Sequence, residues 1–406
     1  MNISSSSWLR LVLVLLVLAI IVGLGIANYR FTLEAPGGND FLPRWVGARY
    51  WLIEGVNPYD AQVSLAAQNM IYGRAADPTK NEDVAHFVYP LPSMVFFAPF
   101  GLLPYPISRA VWMTLLEIGL PLLVLLGAQL AHWKPSGKLM VLLFLFSIGW
   151  YHGFRSVIVG QFAVIEALLM TGALFAIQRQ QDNLAGVLLG LSISKPQMSA
   201  LLIPFVLVWA IRSKRWELIS WTLGTLIALI GVSLALINDW PLLWIRQLLE
   251  YSNYTTNPTP VTILANLVPI ASVTLTYGLT ALFVLYLLWE WVLAMDKGDR
   301  WFQWTAALTI VITNLIPLRT ATTHYVVLIP TLCLIFSAWD ERWGKKGRIT
   351  IVFSLFVVFI GLWSLFLLTL EGNFESDIMY LPFPILLLFG LWWSRWWIVR
   401  ASSLRV

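Results

Sequence analysis

Residues 8–27 read WLRLVLVLLVLAIIVGLGIA, and their only charge is Arg10. A helix rises about 1.5 Å per residue, so about 20 residues cross the roughly 30 Å hydrocarbon core of a bilayer. The run exceeds a usual signal-peptide core and lacks a convincing small-x-small cleavage site, so it is read as a retained membrane helix.

The rest of the 406-residue chain repeats that signal. It is 59% hydrophobic and 12% charged, with a mean hydropathy of +0.76. Soluble domains run about 45–50% apolar and about 25% charged, so the chain departs toward a membrane protein on both counts. Its 22 tryptophans suit that class, because indole rings favour the headgroup interface. Apolar runs recur at 8–28, 108–131, 139–151, 162–178, 184–194, 198–211, 218–237, 273–295, 301–317, 325–339, 349–369 and 379–398. The expected fold is therefore all-α and polytopic, with about twelve membrane helices in one integral domain over 1–406. Additional apolar pieces near 91–103 and 261–272 read as interfacial or re-entrant. No internal repeat of the transporter kind is visible.

Basic residues orient the chain. With the N-terminus inside, HWKPSGK (132–138), RSKRWE (212–217), DKGDR (296–300), DERWGKKGR (340–348), Arg10 and the tail VRASSLRV (399–406) all face the cytoplasm, as the positive-inside bias requires. The long connections 29–107 and 238–272 then lie outside, and a functional cavity is expected on that extracytoplasmic face of the plasma membrane.

The first outer loop carries GGNDFLPRWVGARYWLIEGVNPYD (37–60). Taken as a helix over 41–56, Phe41, Leu42, Trp45, Val46, Leu52, Ile53 and Val56 share one side, while Pro43, Arg44, Gly47, Tyr50, Trp51 and Glu54 share the other. That pattern predicts an amphipathic helix in the membrane interface. Asp40 stands at the N-cap position and Gly55 with Pro58 marks the stop. A simple cap is one reading of Asp40, and it still leaves a carboxylate oxygen facing outward. Arg49 breaks the apolar side and must snorkel to headgroups or meet an anion.

Further charges fall at outer ends of spans: His152 and Arg155, Lys195 in LSISKPQM (191–198), Asp239, Arg246 and Glu250, then Arg319 and His324. Outward basic residues run against the charge bias and need a local reason. Snorkelling or pairing with a loop carboxylate is one; an anionic ligand held by several of them around one cavity is the other. Within apolar runs, Glu166 is placed to neutralise Arg155, Glu290 to reach DKGDR, and Glu117 has no assigned partner. Cys333, the single cysteine, reads as a buried structural thiol. The four histidines are scattered, and no CxxC, HExxH, DxD or Gly-rich phosphate loop occurs, so no metal or other cofactor is expected.

The order of GVNPYD (55–60), YPLPSMVFFAPFGLLP (89–104), GQFAVIEALL (160–169) and AGVLLGLSISKPQMSALLIP (185–204), after an early acidic residue, resembles glycosyltransferase family 87 over roughly 35–330. Leu91 stands where that family often has a second proline, and Ala163 where it often has asparagine. The resemblance implies a GT-C-like membrane enzyme that takes a sugar, with mannose favoured, from a polyprenyl-phosphate donor to a glycolipid or glycan acceptor. It implies Asp40 as catalytic base, with Asp60 a turn residue, and a histidine at the position of His324 reaching the site. Beside it, charge chemistry nominates Lys195 first, then Arg319, His324, Arg155 and Arg49, as contacts to the donor phosphate. Asn57, Tyr59, Tyr89, Gln161 and Arg246 are nominated as acceptor or loop contacts. One base without a nucleophile dyad points to inversion at the anomeric carbon. Lipids are expected partners and nucleic acid is not. A transporter or flippase, which would depend on Glu117 and Glu166, and a lipid-linked glycan ligase are the competing classes.

Overall fold

The structure, a computed structural model, describes residues 5–37, 39–80, 82–254, 258–370, 372 and 375–400. The basic tail beyond residue 400 and parts of the loops at 255–257 and 371–374 lie outside the described residues. The fold is 80% helix, with no strand among the described residues. This is the expected solution for a chain in hydrocarbon, where each backbone N–H must find its acceptor within its own segment.

Each of the twelve apolar runs coincides with a helix. Among the described residues, seven helices are long and apolar enough to cross a membrane, from Leu11–Glu34 to Asp377–Val399. The bent pair Gly137–Gly149 and Tyr151–Ile158, which meet at 53°, makes up to eight. The larger number read from the sequence includes Ala163–Gln178, Asp182–Ser194 and Leu202–Arg212, which are apolar but shorter. Their shortness has a use, because the chain breaks between them are where polar side chains gather.

Burial sorts the helices into two shells. Thr322–Trp343 and much of Tyr105–Leu130 are enclosed, whereas Leu11–Glu34, Trp216–Leu236, Pro269–Ala294 and Lys345–Thr369 expose most of their apolar surface. An apolar exterior is stable only against lipid. Helices approach closely where side chains are small. A Cβ on Gly186 would lie 2.5 Å from the Trp221 Cβ, and one on Gly190 would lie 2.5 Å from the Thr225 Cβ. This GxxxG spacing lets Asp182–Leu191 pack tightly on Trp216–Leu236.

The helix expected over 41–56 exists as Phe41–Arg49, continues as a wider turn over Tyr50–Glu54, and ends at Gly55 with φ +67°. Its first two turns do not lie at an interface with lipid. Phe41 through Ala48 are all buried. The apolar side meets protein aromatics, with Phe41 stacked on Trp112 at 5.1 Å. The polar side places the Arg44 guanidinium 4.6 Å over the Tyr89 ring. Amphipathicity here separates an aromatic core from a polar cavity.

Intramembrane carboxylates find partners that sequence spacing did not reveal. Glu290 binds Arg395 at 2.7 Å, not DKGDR. Glu117 accepts a 2.8 Å hydrogen bond from Asn28 of the first helix. Both contacts join helices distant in the chain.

Candidate functional site

The site is built on the Val159–Gly160–Gln161 corner, which follows Tyr151–Ile158. Gly160 has φ +64°, and a Cβ there would lie 2.7 Å from the Phe41 Cβ. Only glycine meets both demands without strain. Trp112 donates its indole N–H to the Gly160 carbonyl at 2.9 Å and fixes the corner from below. The first loop docks directly onto it, because the Asp40 amide donates to the Val159 carbonyl at 2.8 Å.

Asp40 is not the side-chain cap of the helix that it precedes. That role falls to Asn39, whose Oδ1 accepts from the Leu42 amide at 3.0 Å. The Asp40 carboxylate is thereby released. Its Oδ2 accepts from Gln161 Nε2 at 2.6 Å, and its Oδ1 lies 3.9 Å from the Arg44 guanidinium. Its side chain remains 39% exposed. The carboxylate is thus held by an amide and a guanidinium while one face stays open.

That face borders a cavity of about 390 Å³ lined by Asp40, Arg44, Tyr89, Gln161, Lys195, Arg319 and His324, with Trp244 and Tyr251 on its wall. Lys195 sits at a chain break, with φ −135° and ψ 72°, before Pro196. A proline bars the preceding residue from continuing a helix. The break aims the buried Lys195 ammonium at the Gln161 Oε1, to which it donates, 5.6 Å over the Tyr89 ring. Burial pushes the Lys195 ammonium down to about 7, against the attraction of Asp40. Gln161 is the hub. Its NH₂ donates to Asp40 and, at 3.2 Å, to Thr323, and its oxygen accepts from Lys195 and from Tyr89 at 3.4 Å. With carboxylate and ammonium on opposite ends, the amide has one sensible orientation.

Arg319 enters from the other side of the cavity. It has φ +53°, a left-handed conformation that costs a non-glycine residue about 1–2 kcal/mol. Its guanidinium lies 5.3 Å from the Tyr251 ring centre, and one buried Nη has no hydrogen-bond partner among the described residues. His324 Nδ1 accepts from the Ala321 amide at 3.3 Å. The neutral ring then carries its proton on Nε2, a donor for the cavity.

Other expected site residues go elsewhere. Arg155 pairs with Glu375 and donates to the Tyr151 hydroxyl at 2.5 Å, so Glu166 does not neutralise it. Glu166 lies instead within electrostatic reach of Lys195. Arg49 donates to the Gly101 carbonyl at 3.3 Å and covers Trp45, outside the cavity. Arg246 is exposed and also outside it. Asn57 closes the turn before Tyr59 by accepting from its amide at 3.0 Å. Tyr59 donates to the Tyr89 carbonyl at 2.7 Å, which makes it a support for the site. Asp60 precedes the Ala61–Tyr72 helix without side-chain capping. Sequence reasoning missed Arg44, Trp244 and Tyr251. For Arg44 the signal was present, since it stands one turn after Asp40. Among the described residues no group of three His, Cys, Asp or Glu side chains is placed to hold a metal ion.

The family model described as "Glycosyltransferase family 87" matches residues 87–317, more than half of the chain. The matched stretch contains Tyr89, Gln161 and Lys195; Asp40, Arg44, Arg319 and His324 lie outside it. No curated protein and no solved structure matches the chain.

Proposed function

The chain belongs to glycosyltransferase family 87, and on that premise we propose that it moves a hexose, mannose in first place, from a polyprenyl-phosphate donor to a glycolipid or glycan hydroxyl on the extracytoplasmic face of the plasma membrane. The observation that carries this reading is the cavity itself, where an open Asp40 carboxylate faces Lys195, Arg44 and Arg319.

The chemistry is a displacement at the anomeric carbon. The acceptor oxygen attacks that carbon, Asp40 takes the hydroxyl proton, and the bond to the phosphate oxygen breaks with its electron pair leaving on the phosphate. Negative charge grows on the leaving group. Lys195 and Arg319 supply fixed positive charge there, and the His324 Nε2–H supplies a hydrogen bond. Gln161 ties the base to the lysine, so both keep their spacing as charge moves. Attack opposite the leaving group by one base-activated hydroxyl inverts the anomeric carbon. The aromatic wall of Tyr89, Trp244 and Tyr251 suits a sugar face. The extracytoplasmic placement rests on the basic loops, whose residues gather at the other end of the helices.

The test uses protein in lipid nanodiscs, a polyprenyl-phosphate mannose and a membrane lipid extract. Asp40→Asn is expected to retain donor binding and lose transfer by at least about 10²-fold. Full transfer by the variant would sink the base assignment.

A further inference from the structure

Outside the cavity, but within electrostatic reach of Lys195, stands a carboxyl group that the mechanism leaves unused. Glu166 lies in the first turn of Ala163–Gln178 and is fully buried. Neither of its carboxyl oxygens has a hydrogen-bond partner among the described residues. The neighbouring Ser199 hydroxyl donates instead to the Ser192 carbonyl at 2.8 Å. A buried carboxyl without hydrogen bonds weakens a fold. Packing therefore gives no reason for it, and a carboxyl at such depth points to function.

The charges that act on Lys195 come from several elements. Asp40 and Arg44 reach it from the first outer loop, and Glu166 from Ala163–Gln178. Asp40 favours the ammonium and Arg44 opposes it, and these two lie 3.9 Å from each other. Arg319, His324 and Tyr251 border the same cavity, and the Tyr89 ring centre lies 5.6 Å from the ammonium. Glu166 makes no hydrogen bond to Lys195. The ammonium donates to Gln161 Oε1 and keeps two further N–H donors. A direct salt bridge would occupy those donors. A carboxylate set one layer back favours the ammonium through space, strongly so in a low-dielectric interior, and leaves the donors to a ligand.

We infer that Glu166 is a positioning residue that acts through Lys195: a counter-charge behind the site that keeps the lysine an ammonium while its N–H donors stay free for the donor phosphate. This rests on the transferase reading above and adds a residue to its charge machinery. During transfer Asp40 takes a proton and loses its charge as negative charge grows on the leaving phosphate. Glu166 is then the carboxylate that still holds Lys195 charged. Burial already brings Lys195 to about 7. Its charge is present below that pH, so removing a nearby negative charge moves the loss of that charge to lower pH.

The experiment measures polyprenyl phosphate binding from about pH 5 to about pH 9 with full-length protein in nanodiscs, and reads the ratio of wild-type to variant affinity. The second ionisation of the ligand phosphate, near about pH 6, is common to both proteins and cancels in the ratio. For a downward shift of roughly one unit, Glu166→Gln is expected to bind within about twofold of wild type at pH 5, roughly fivefold more weakly at pH 7 and roughly tenfold more weakly at pH 8. In a Lys195→Arg background, where the charge does not titrate, Glu166→Gln should leave a ratio independent of pH. A ratio near one at every pH, an equal loss at every pH, or a pH-dependent ratio that persists in the arginine background overturns this inference alone. Loss of binding at pH 5 by both Glu166→Gln and Glu166→Leu marks a structural carboxyl and overturns it as well. No polyprenyl phosphate binding by wild type at any pH overturns the donor assignment and this inference with it.

Discussion

The two ends of the helix bundle carry the same kinds of side chain and use them differently. At the end formed by the basic loops, Arg348 pairs with Asp340 at 2.8 Å, Arg212 with Asp296 at 2.8 Å, and Arg215 with Asp182. Arg300 is bound to the Arg400 carbonyl at 2.8 Å. A cavity of about 430 Å³ opens there as well. At the Asp40 end, Lys195 rests on an amide and the Tyr89 ring and Arg319 on the Tyr251 ring, while Arg44, over Tyr89, keeps Asp40 within 3.9 Å. Neither size of cavity nor number of cations separates the ends. The separating feature is specific to Lys195 and Arg319: among the described residues no carboxylate pairs with either, whereas Arg348, Arg212 and Arg215 each have one. A buried charge without a close counter-ion costs several kcal/mol, and a bound phosphate would offset that cost.

This contrast breaks most sharply at Asp40. Asp40→Asn should lower the turnover rate by about 10²–10⁴-fold with little change in donor KM, as read in single-turnover transfer. Next comes Lys195→Met, expected to reduce turnover by about 10²–10³-fold, the usual scale for losing one transition-state stabiliser. Lys195 also sets a pH signature. Burial lowers its ammonium to about 7, so the charged form is present below that pH and lost as pH rises through it. Polyprenyl phosphate affinity should weaken between about pH 7 and pH 9, by up to about tenfold per unit, in a binding titration. Lys195→Arg, whose charge persists, should flatten that slope. A flat slope in wild type would refute the assignment.

Smaller effects sharpen the contrast. Gly160→Ala meets a left-handed φ and the Phe41 Cβ at 2.7 Å, so it should cost at least about 1–2 kcal/mol, read as a lower melting temperature. Its transfer rate should fall with it, because the corner also seats Asp40 and Gln161. At the paired end, Arg348→Ala breaks a half-exposed ion pair. It should cost less than about 1 kcal/mol and leave transfer unchanged. A large loss of transfer there would mean that the paired end also serves the reaction.

How much of this was legible in the chain depended on the range of the interaction. Hydropathy placed a helix at each apolar run, because satisfying the backbone in lipid is a local demand. It overcounted long spans, because a short apolar helix such as Ala163–Gln178 gives the same signal as part of a spanning one. Asp40, Lys195, Arg319 and His324 were legible as costly polar residues at outer helix ends, and they meet in one cavity. Arg155 and Arg49 satisfied the same rule, yet they are occupied by Glu375 and by the Gly101 carbonyl. A counter-ion more than 200 residues away leaves no mark in local spacing.

The sequence by itself determined the helical membrane architecture, the sidedness expectation and the short roll of expensive polar residues, since each follows from transfer energies and periodicity along the chain. Tertiary structure alone decided that Asn39, not Asp40, caps the helix, that Gln161 joins Asp40 to Lys195, and that Lys195, Arg319 and His324 meet Asp40 in one cavity. Those outcomes depend on which side chains from residues 39–40, 161, 195 and 319–324 fall within hydrogen-bond or Coulomb range. Packing of whole helices sets that range, and no local pattern encodes it.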